Sequence, residues 1–179
     1  MDAVHLTGRA ARPAITSNFT SQKVEPVRIR RFIPGEEPVL FEIYYSAIHL
    51  IASLDYTEAQ LNAWAPSDLD HERWVNRIRG INPFVAELEG TLVGYADIQH
   101  NGYIDHFFVS GRYPRQGIGK ALMTVLESEA RRLCVSEMTS DVSRTAQPFF
   151  HSFGFEVVEQ RIPVIRGVEV PNALMRKVL

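Results

Sequence analysis

A basic, glycine-containing turn joins a short apolar run to an amphipathic helical pattern in residues 109–123, and this junction restricts the fold more than any other segment. A helix that begins here leaves free backbone N–H groups and the positive end of its dipole at the turn. Gly117 and Gly119 carry no Cβ atom, so a diphosphate can approach the backbone closely. Three basic side chains share the turn: Arg112, Arg115 and Lys120. The segment therefore predicts a strand–turn–helix unit that binds a phosphate ester.

Two common phosphate-binding motifs do not fit this turn. The dinucleotide motif needs a third glycine, and Leu122 stands at that position. The P-loop needs Ser or Thr after its lysine, whereas Lys120 is followed by Ala121. The alternative interpretation is an ordinary helix start after a strand, with no ligand at the turn.

Hydrophobic periodicity and turn residues divide the chain after residue 26 into strands and helices. Thr57 and Gln60 have the form of a capping box, which predicts a short helix ending near Trp64. Glu89-Gly90 and Asn101-Gly102 separate three strands of an antiparallel meander. The predicted strands cover residues 27–30, 84–88, 92–99, 103–109, 135–139, 155–164 and 168–178. The predicted helices cover residues 36–53, 57–64, 69–79, 117–133 and 143–153.

The resulting order, β-α-α-α-β-β-β-α-β-α-β-β, predicts an α/β fold of the α+β kind. A mixed, mostly antiparallel central sheet is flanked by helices. Residues 1–26 are rich in Ala, Thr, Ser and Arg without a clear period, so we expect a flexible N-terminal extension there. Residues 27–179 are expected to form a single domain.

Composition excludes several classes of protein. A net charge of −2 gives no overall attraction for nucleic acid or an anionic membrane, so any anion site has to be local. The one cysteine, Cys134, excludes an internal disulfide, and the six histidines show no metal-ligand spacing, so no metal is expected. No apolar run is long enough to span a bilayer, and no secretory signal begins the chain. We expect a cytoplasmic monomer or homodimer without nucleic-acid or membrane partners.

The turn resembles motif A of the GNAT superfamily, the acetyl-CoA-dependent N-acetyltransferases. That motif places Gln/Arg-x-x-Gly-x-Gly/Ala after a strand with a hydrophobic-x-Val signature. Residues 107–109 fit the strand, and Gly117-Ile118-Gly119 fits the turn. Pro114 stands where the motif has Gln or Arg, so Arg112 or Arg115 would have to supply that phosphate contact.

A second segment, residues 143–155, is similar to the Asn-x-x-Ala…Tyr-x-x-x-Gly-Phe helix of the same superfamily. Ser143 stands at the Asn position and Phe150 at the Tyr position. The resemblance covers residues 28–179. Within the superfamily, the sequence most resembles the YafP-like subgroup of small bacterial GNAT proteins. The segments that resemble this subgroup lie around Trp64 and at residues 141–155 and 167–175.

The resemblance implies that acetyl-CoA is the cosubstrate and that its acetyl group passes to a primary amine. It also implies a cofactor-binding set drawn from the two segments. The set comprises Phe107, Phe108, Val109, Arg112, Arg115, Gln116, Gly117, Ile118, Gly119, Lys120, Ser143 and Phe150. The alternative is an acetyl-CoA-binding sensor or regulatory protein of the same fold with weak or no catalysis.

Acetyl transfer to an amine requires a base for the amine proton and a donor for the developing oxyanion. Asp105 and His106 are the candidate bases, predicted on opposite faces of the central strand. The alternatives are an ion pair of Asp105 with an arginine and a packed, hydrogen-bonded His106. The resemblance implies that the oxyanion donor is a backbone N–H within Phe107–Val109, so Phe107 joins the candidate catalytic residues.

Phe150 cannot donate a proton, although the resemblance places it where the usual acid, a tyrosine, would meet the departing thiolate. Tyr103 or His151 could replace it, the thiolate could leave without an acid, or catalysis could be lost. The resemblance also places several aromatic side chains along the acceptor pocket, and core packing is the alternative for each. They are Tyr44, Tyr45, His49 and Trp64.

Overall fold

The computed structural model describes residues 26–179, so the predicted extension lies outside the described residues except for Pro26. The strands are β1 Arg28–Arg31, β2 Phe84–Leu88, β3 Thr91–Ala96, β4 Tyr103–Ile104, β5 Phe107–Val109, β6 Glu137–Ser143, β7 Glu156–Arg161, β8 Val164–Ile165, β9 Val168–Glu169 and β10 Asn172–Val178. The helices are α1 Glu37–Ser46, α2 Glu58–Trp64, α3 His71–Ile81, α4 Ile118–Arg132 and α5 Gln147–Ser152. A π-helical turn, Ala47–Ile51, and a 3₁₀ turn, Ala52–Leu54, continue α1.

Two four-stranded sheets make the centre of the fold, in the orders β1-β2-β3-β5 and β4-β6-β10-β7. All pairings are antiparallel except that of β4 with β6, which is parallel. β8 and β9 form a separate hairpin that contacts α2. Strands β4 and β5 are consecutive in the chain but belong to different sheets, so the two sheets part at residues 105–106.

Helices cover both faces of the first sheet and bury two apolar clusters. On one face, α4 and α5 contribute Leu122, Leu126 and Phe150. On the other face, α1, its π-helical continuation and α3 contribute Leu40, Ile48 and Trp74. The mixed α/β architecture expected from the element order is confirmed. Within residues 26–179, no helix combines the length and apolar character needed to cross a membrane.

The strand predicted over residues 103–109 is wrong as a single element. Tyr103 and Ile104 pair with β6, whereas Phe107–Val109 pair with β3. The preceding strand also ends earlier than predicted, at Ala96, because the Asp97 carboxylate accepts a hydrogen bond from the His106 backbone N–H at 2.6 Å. Alternation of apolar residues predicts a strand but not which strand it pairs with.

The helix boundaries differ in three places. The predicted helix 36–53 changes to π-helical and 3₁₀ turns after Ser46. α3 continues through Gly80 to Ile81, and Asn82, with a left-handed φ of 41°, caps its C-terminal end. Ser143 ends β6 instead of starting a helix at 143, and its hydroxyl accepts the Ala146 N–H one turn before α5. The capping box of α2 is confirmed, with both Thr57–Gln60 hydrogen bonds formed.

Candidate active site

A cavity opens where the two sheets part, between β5, β6 and the N-terminal end of α4. Most of the residues predicted to form the site line this one cavity. These are Asp105, Phe107, Phe108, Val109, Arg115, Gln116, Gly117, Ile118, Gly119, Lys120, Ser143 and Phe150. His106 and Arg112 do not line it: His106 is packed beneath the sheet, and Arg112 is exposed on the turn.

The turn before α4 has the geometry of an anion site. Gly117 precedes the helix with a left-handed φ of 76°, and nothing lies within 4 Å of the position where its Cβ would stand. The first N–H bonded within the helix is that of Ala121, which donates to the Gly117 carbonyl oxygen at 3.0 Å. The N–H groups of residues 118–120 therefore have no helical acceptor. Arg115 and Lys120 add positive charge at this end of the cavity.

Gly119 lines the cavity and also has a packing role. A Cβ there would stand 3.1 Å from the ring of Phe149, so the missing side chain lets α5 pack closely on α4. Of the two glycines in the turn, Gly117 combines a left-handed backbone with open space, and a diphosphate can approach the backbone at that position.

The edge of β5 that faces the cavity carries free backbone groups. The Ser110 N–H donates to β3 at 2.8 Å, and the His106 carbonyl oxygen accepts from the residue after β3 at 3.0 Å. Antiparallel pairing alternates, so the even-numbered residues of β5 direct their backbone groups toward β3. The N–H groups of Phe107 and Val109 consequently point to the opposite edge, into the cavity.

Asp105 lies at the point where the sheets part. Its side chain is 17% exposed, and one carboxylate oxygen, Oδ2, forms an ion pair with Arg77 of α3. Burial raises the pKa of Asp105, although the Arg77 guanidinium opposes the shift. The other oxygen, Oδ1, accepts no hydrogen bond from residues 26–179. The ion pair matches the structural alternative for Asp105, and the raised pKa makes the carboxylate a stronger base.

His106 is a neutral, packed side chain. Its Nδ1 lies 3.0 Å from the Tyr95 hydroxyl, and its ring stacks on Tyr44 with 6.1 Å between the ring centroids. Burial, together with the positive charge of Arg77, lowers the pKa of His106 to about 3. An imidazole that binds a proton so weakly is a poor base at neutral pH.

Two polar groups beside Asp105 were missed by sequence reasoning. Asp97 is fully buried, and burial raises its pKa to about 6 even though it accepts the His106 backbone N–H. Asp141 of β6 accepts a hydrogen bond from the Tyr103 hydroxyl at 3.1 Å and pairs with Arg161 at 2.9 Å. Burial, followed by the nearby Asp141, raises the pKa of Tyr103 to about 12. No motif marks either aspartate: Asp97 is distinguished by its burial, and the contacts of Asp141 join distant parts of the chain.

An aromatic wall closes the cavity beside α5. Phe150 is 2% exposed, and its ring lies edge-on to Phe107 at 5.4 Å and to Phe155 at 5.1 Å. His151 is exposed and does not line the cavity, so it is badly placed to protonate a leaving group there. Tyr103 faces a neighbouring cleft instead.

The opposite wall comes from the π-helical turn and α2. Of the four aromatic residues expected at the acceptor pocket, Trp64 lines the cavity, together with Ile48 and Ile51 of the π-helical turn. Tyr44 donates to the Trp64 carbonyl oxygen at 2.7 Å, which fixes α2 against α1. His49 and Tyr45 stack on each other with 4.1 Å between ring centroids. Within residues 26–179, no group of three or more metal-ligating side chains converges.

Comparison with known proteins gives the class of this molecule. Residues 52–170 match the acetyltransferase (GNAT) domain family, which is about two thirds of the chain. The chain belongs to the GNAT acetyltransferases.

Its relatives support the narrower resemblance as well. The chain is 36% identical over 152 residues to the uncharacterized N-acetyltransferase YafP of Escherichia coli K12, covering 84% of this chain and 95% of YafP. A GCN5-related N-acetyltransferase from Rhodopseudomonas palustris superposes with a TM-score of 0.83 at 28% identity, covering 87% of this chain and 98% of that one. The fold is also shared with YncA of Salmonella typhimurium, a putative acetyltransferase solved with acetyl-CoA. That match has a TM-score of 0.62 at 21% identity and covers 87% and 95% of the two chains.

Proposed function

We propose that the protein transfers the acetyl group of acetyl-CoA to a primary amine, with the cosubstrate held in the cavity between the sheets. The diphosphate lies at the N-terminal end of α4, beside Gly117, Arg115 and Lys120. The amide-containing arm extends along the free edge of β5, and the thioester reaches Asp105. The YncA structure was solved with acetyl-CoA, which agrees with this use of the shared fold.

The observation that carries the proposal is the position of Asp105 next to the free N–H of Phe107, at the inner end of the cavity. Asp105 accepts a proton from the attacking amine, directly or through one water molecule. The Phe107 N–H donates a hydrogen bond to the thioester oxygen as negative charge develops on it. The amine nitrogen forms a bond to the carbonyl carbon while the carbon–sulfur bond breaks.

The thiolate leaves without a protein acid in this proposal. An alkyl thiol has a pKa of about 8.5, so its thiolate is a moderate leaving group that can take a proton from water. This fits the presence of Phe150 where other family members would offer a hydroxyl. His106 serves as a buried support for Asp105 and does not act as the base, because its imidazole holds a proton only below about pH 3.

Asp105→Asn tests the proposed base. The amide keeps the shape and can still contact Arg77 but cannot accept the amine proton. We expect turnover to fall on the order of 10²–10⁴-fold, with unchanged acetyl-CoA affinity. Thiol release measures turnover, and calorimetry measures affinity.

Asp70→Asn is the matched control, because Asp70 caps α3 and Asn is an equally good cap. It should retain full activity. An Asp105→Asn protein with wild-type turnover would show that Asp105 is not the base.

An acetyl-CoA sensor is the weaker interpretation. The domain family and the relatives are named acetyltransferases, and no described feature other than Phe150 favours a loss of catalysis. Cytoplasmic location and a monomeric or dimeric state stay predictions from the sequence.

A further inference from the structure

A second, polar cleft meets the acetyl-CoA cavity at Asp105. It lies between α3 and the segment that leads into β4, and it is lined by Asn76, Arg77, Gly80, Gln99, Tyr103 and Asp105. Asp105 is the residue that lines both spaces. An amine that enters from the cleft therefore reaches the proposed base from the side opposite the cosubstrate.

Arg77 has unused donors that face this cleft. Its side chain is 54% exposed, and one terminal nitrogen, Nη2, bonds Asp105. Its Nε and Nη1 groups donate no hydrogen bond to any of residues 26–179. The Nε and Nη1 groups point to opposite sides of the guanidinium, so each can donate one charge-assisted hydrogen bond to a carboxylate, and a parallel pair would also need the second N–H of Nη2.

The neighbouring arginines do not line this cleft. Arg79, on the same helix, pairs with the buried Glu37. Arg161, beside Asp141, directs Nη1 to Asp141 and both Nε and Nη2 to Glu159. A third cleft at Arg161 also contains the buried Oδ1 atom of Asn172, which has no hydrogen-bond partner among the described residues. That cleft offers acceptor atoms and therefore does not suit an anion.

We propose that the acceptor is an α-amino acid, or a close analogue with a carboxylate on the carbon next to the amine. This rests on the proposed acetyl transfer. The amine lies against Asp105, and the carboxylate binds the free N–H groups of Arg77. The rest of the cleft is lined by the uncharged side chains of Asn76, Gln99, Tyr103 and Ile81.

The charges in the cleft favour this class over a simple alkyl amine or a polyamine. One guanidinium and one carboxylate lie side by side, which matches the opposite charges of a zwitterion. Asp97 lies behind Gln99, whose amide donates to it, and does not itself line the cleft. A purely cationic acceptor would leave the Arg77 donors unused and would be repelled by them.

The test compares matched acceptors in wild-type protein and in Arg77→Gln. The twenty L-amino acids are assayed by thiol release, and the best substrate is compared with its carboxamide and its decarboxylated amine. In the wild type we expect kcat/KM to be highest for the free acid. In Arg77→Gln, kcat/KM for the acid should fall on the order of tenfold to a hundredfold relative to kcat/KM for its amide, because a charge-assisted contact is lost.

The ratio between acid and amide is the decisive quantity. Removing Arg77 also alters the pKa of Asp105, but that change affects both acceptors equally and cancels in the ratio. Arg77→Lys should restore part of the preference, since it keeps the charge without the planar fork. Arg73→Gln, one turn earlier on the exposed face of α3, is the matched control and should leave the ratio unchanged.

The outcomes separate this inference from the proposed function. Efficient acetylation of the amide or the amine, with no preference for the acid, would overturn the inference and leave acetyl transfer intact. An acid-to-amide ratio unchanged in Arg77→Gln would do the same. Acetyl-CoA binding without acetylation of any amino acid would overturn the inference, and the proposed function would fall with it only if simple amines without a carboxylate were not acetylated either.

Discussion

At the scale of single residues, Phe150 has the most testable position. Its ring is buried in the aromatic wall of the cavity, yet it lines the space that the cosubstrate would fill. Phe150→Tyr adds one oxygen atom that can point along the cavity toward the thiolate. We expect turnover to rise. The upper limit of the increase is the full contribution of a general acid, on the order of 10²–10⁴-fold.

Phe153→Tyr is the control for this substitution, because Phe153 lies at the C-terminal end of the same helix and does not line the cavity. It should leave turnover close to that of the wild type. If Phe150→Tyr is no faster while its melting temperature is unchanged, protonation of the leaving group does not limit the reaction.

At the scale of elements, three basic residues near the N-terminal end of α4 have different positions relative to the cavity, although they share one turn in the sequence. Arg115 and Lys120 line the cavity, whereas Arg112 does not. Arg115→Gln or Lys120→Gln should weaken acetyl-CoA binding by about threefold to tenfold at low salt, a discounted value because both side chains are exposed. Arg112→Gln is the control and should bind normally.

Calorimetry at two salt concentrations checks this assignment. The difference between wild type and the Arg115 or Lys120 variant should shrink as salt rises, because exposed charges are screened. Equal losses in all three variants would mean that the turn attracts the diphosphate through its overall charge and that no individual contact matters.

Elements with local signals could be predicted well. Thr57 and Gln60 cap α2 as expected, and Glu89-Gly90 forms the tight turn, with both residues at positive φ. The turn that precedes α4 was predicted because a strand, a glycine turn and an amphipathic helix follow one another directly in the sequence.

The rest of the candidate site depends on contacts between distant segments. Arg77 meets Asp105 across 28 positions of the sequence, and Asp141 meets Tyr103 across 38. The residues before and after 105–106 belong to different sheets. Which strands pair depends on competition between strands, and the alternation of apolar residues does not indicate the outcome. The low pKa of His106 follows from burial, which only the assembled fold determines.

At the scale of the whole molecule, two buried groups, Asp97 and His106, have opposite effects on how the free energy of unfolding changes with pH. The pKa of Asp97 is raised from 3.8 to about 6, so the folded state binds more protons than the unfolded state between these pH values. The contribution of Asp97 to the free energy of unfolding therefore falls as pH rises from about 4 to 6. His106 has its pKa lowered from 6.5 to about 3, so its contribution is complete above 6.5 and is lost as pH falls. Between about pH 4 and 6 each group changes the free energy of unfolding by about 1.4 kcal/mol per pH unit. The two changes have opposite signs and nearly cancel.

Asp97→Asn removes one of the two slopes. The free energy of unfolding of this variant should rise more steeply with pH than that of the wild type between about pH 4 and 6, by up to about 1.4 kcal/mol per unit. Urea unfolding across this range measures the difference. Asp68→Asn, at an exposed position, is the control and should follow the wild-type curve. Parallel curves for Asp97→Asn would show that Asp97 titrates normally.

The unpaired edge of β5 has a consequence for how such a protein can change over time. The groups that it offers to a ligand are backbone N–H and C=O groups, and every amino acid except proline supplies both. Replacement of the side chains of Phe107 or Val109 leaves these groups in place, so donor recognition at this edge is insensitive to mutation. In the proposed reaction, the amine that receives the acetyl group contacts side chains on α3 and at the sheet junction, where single substitutions change charge and shape. A lineage built on this fold can therefore acquire new acceptors without rebuilding its donor site.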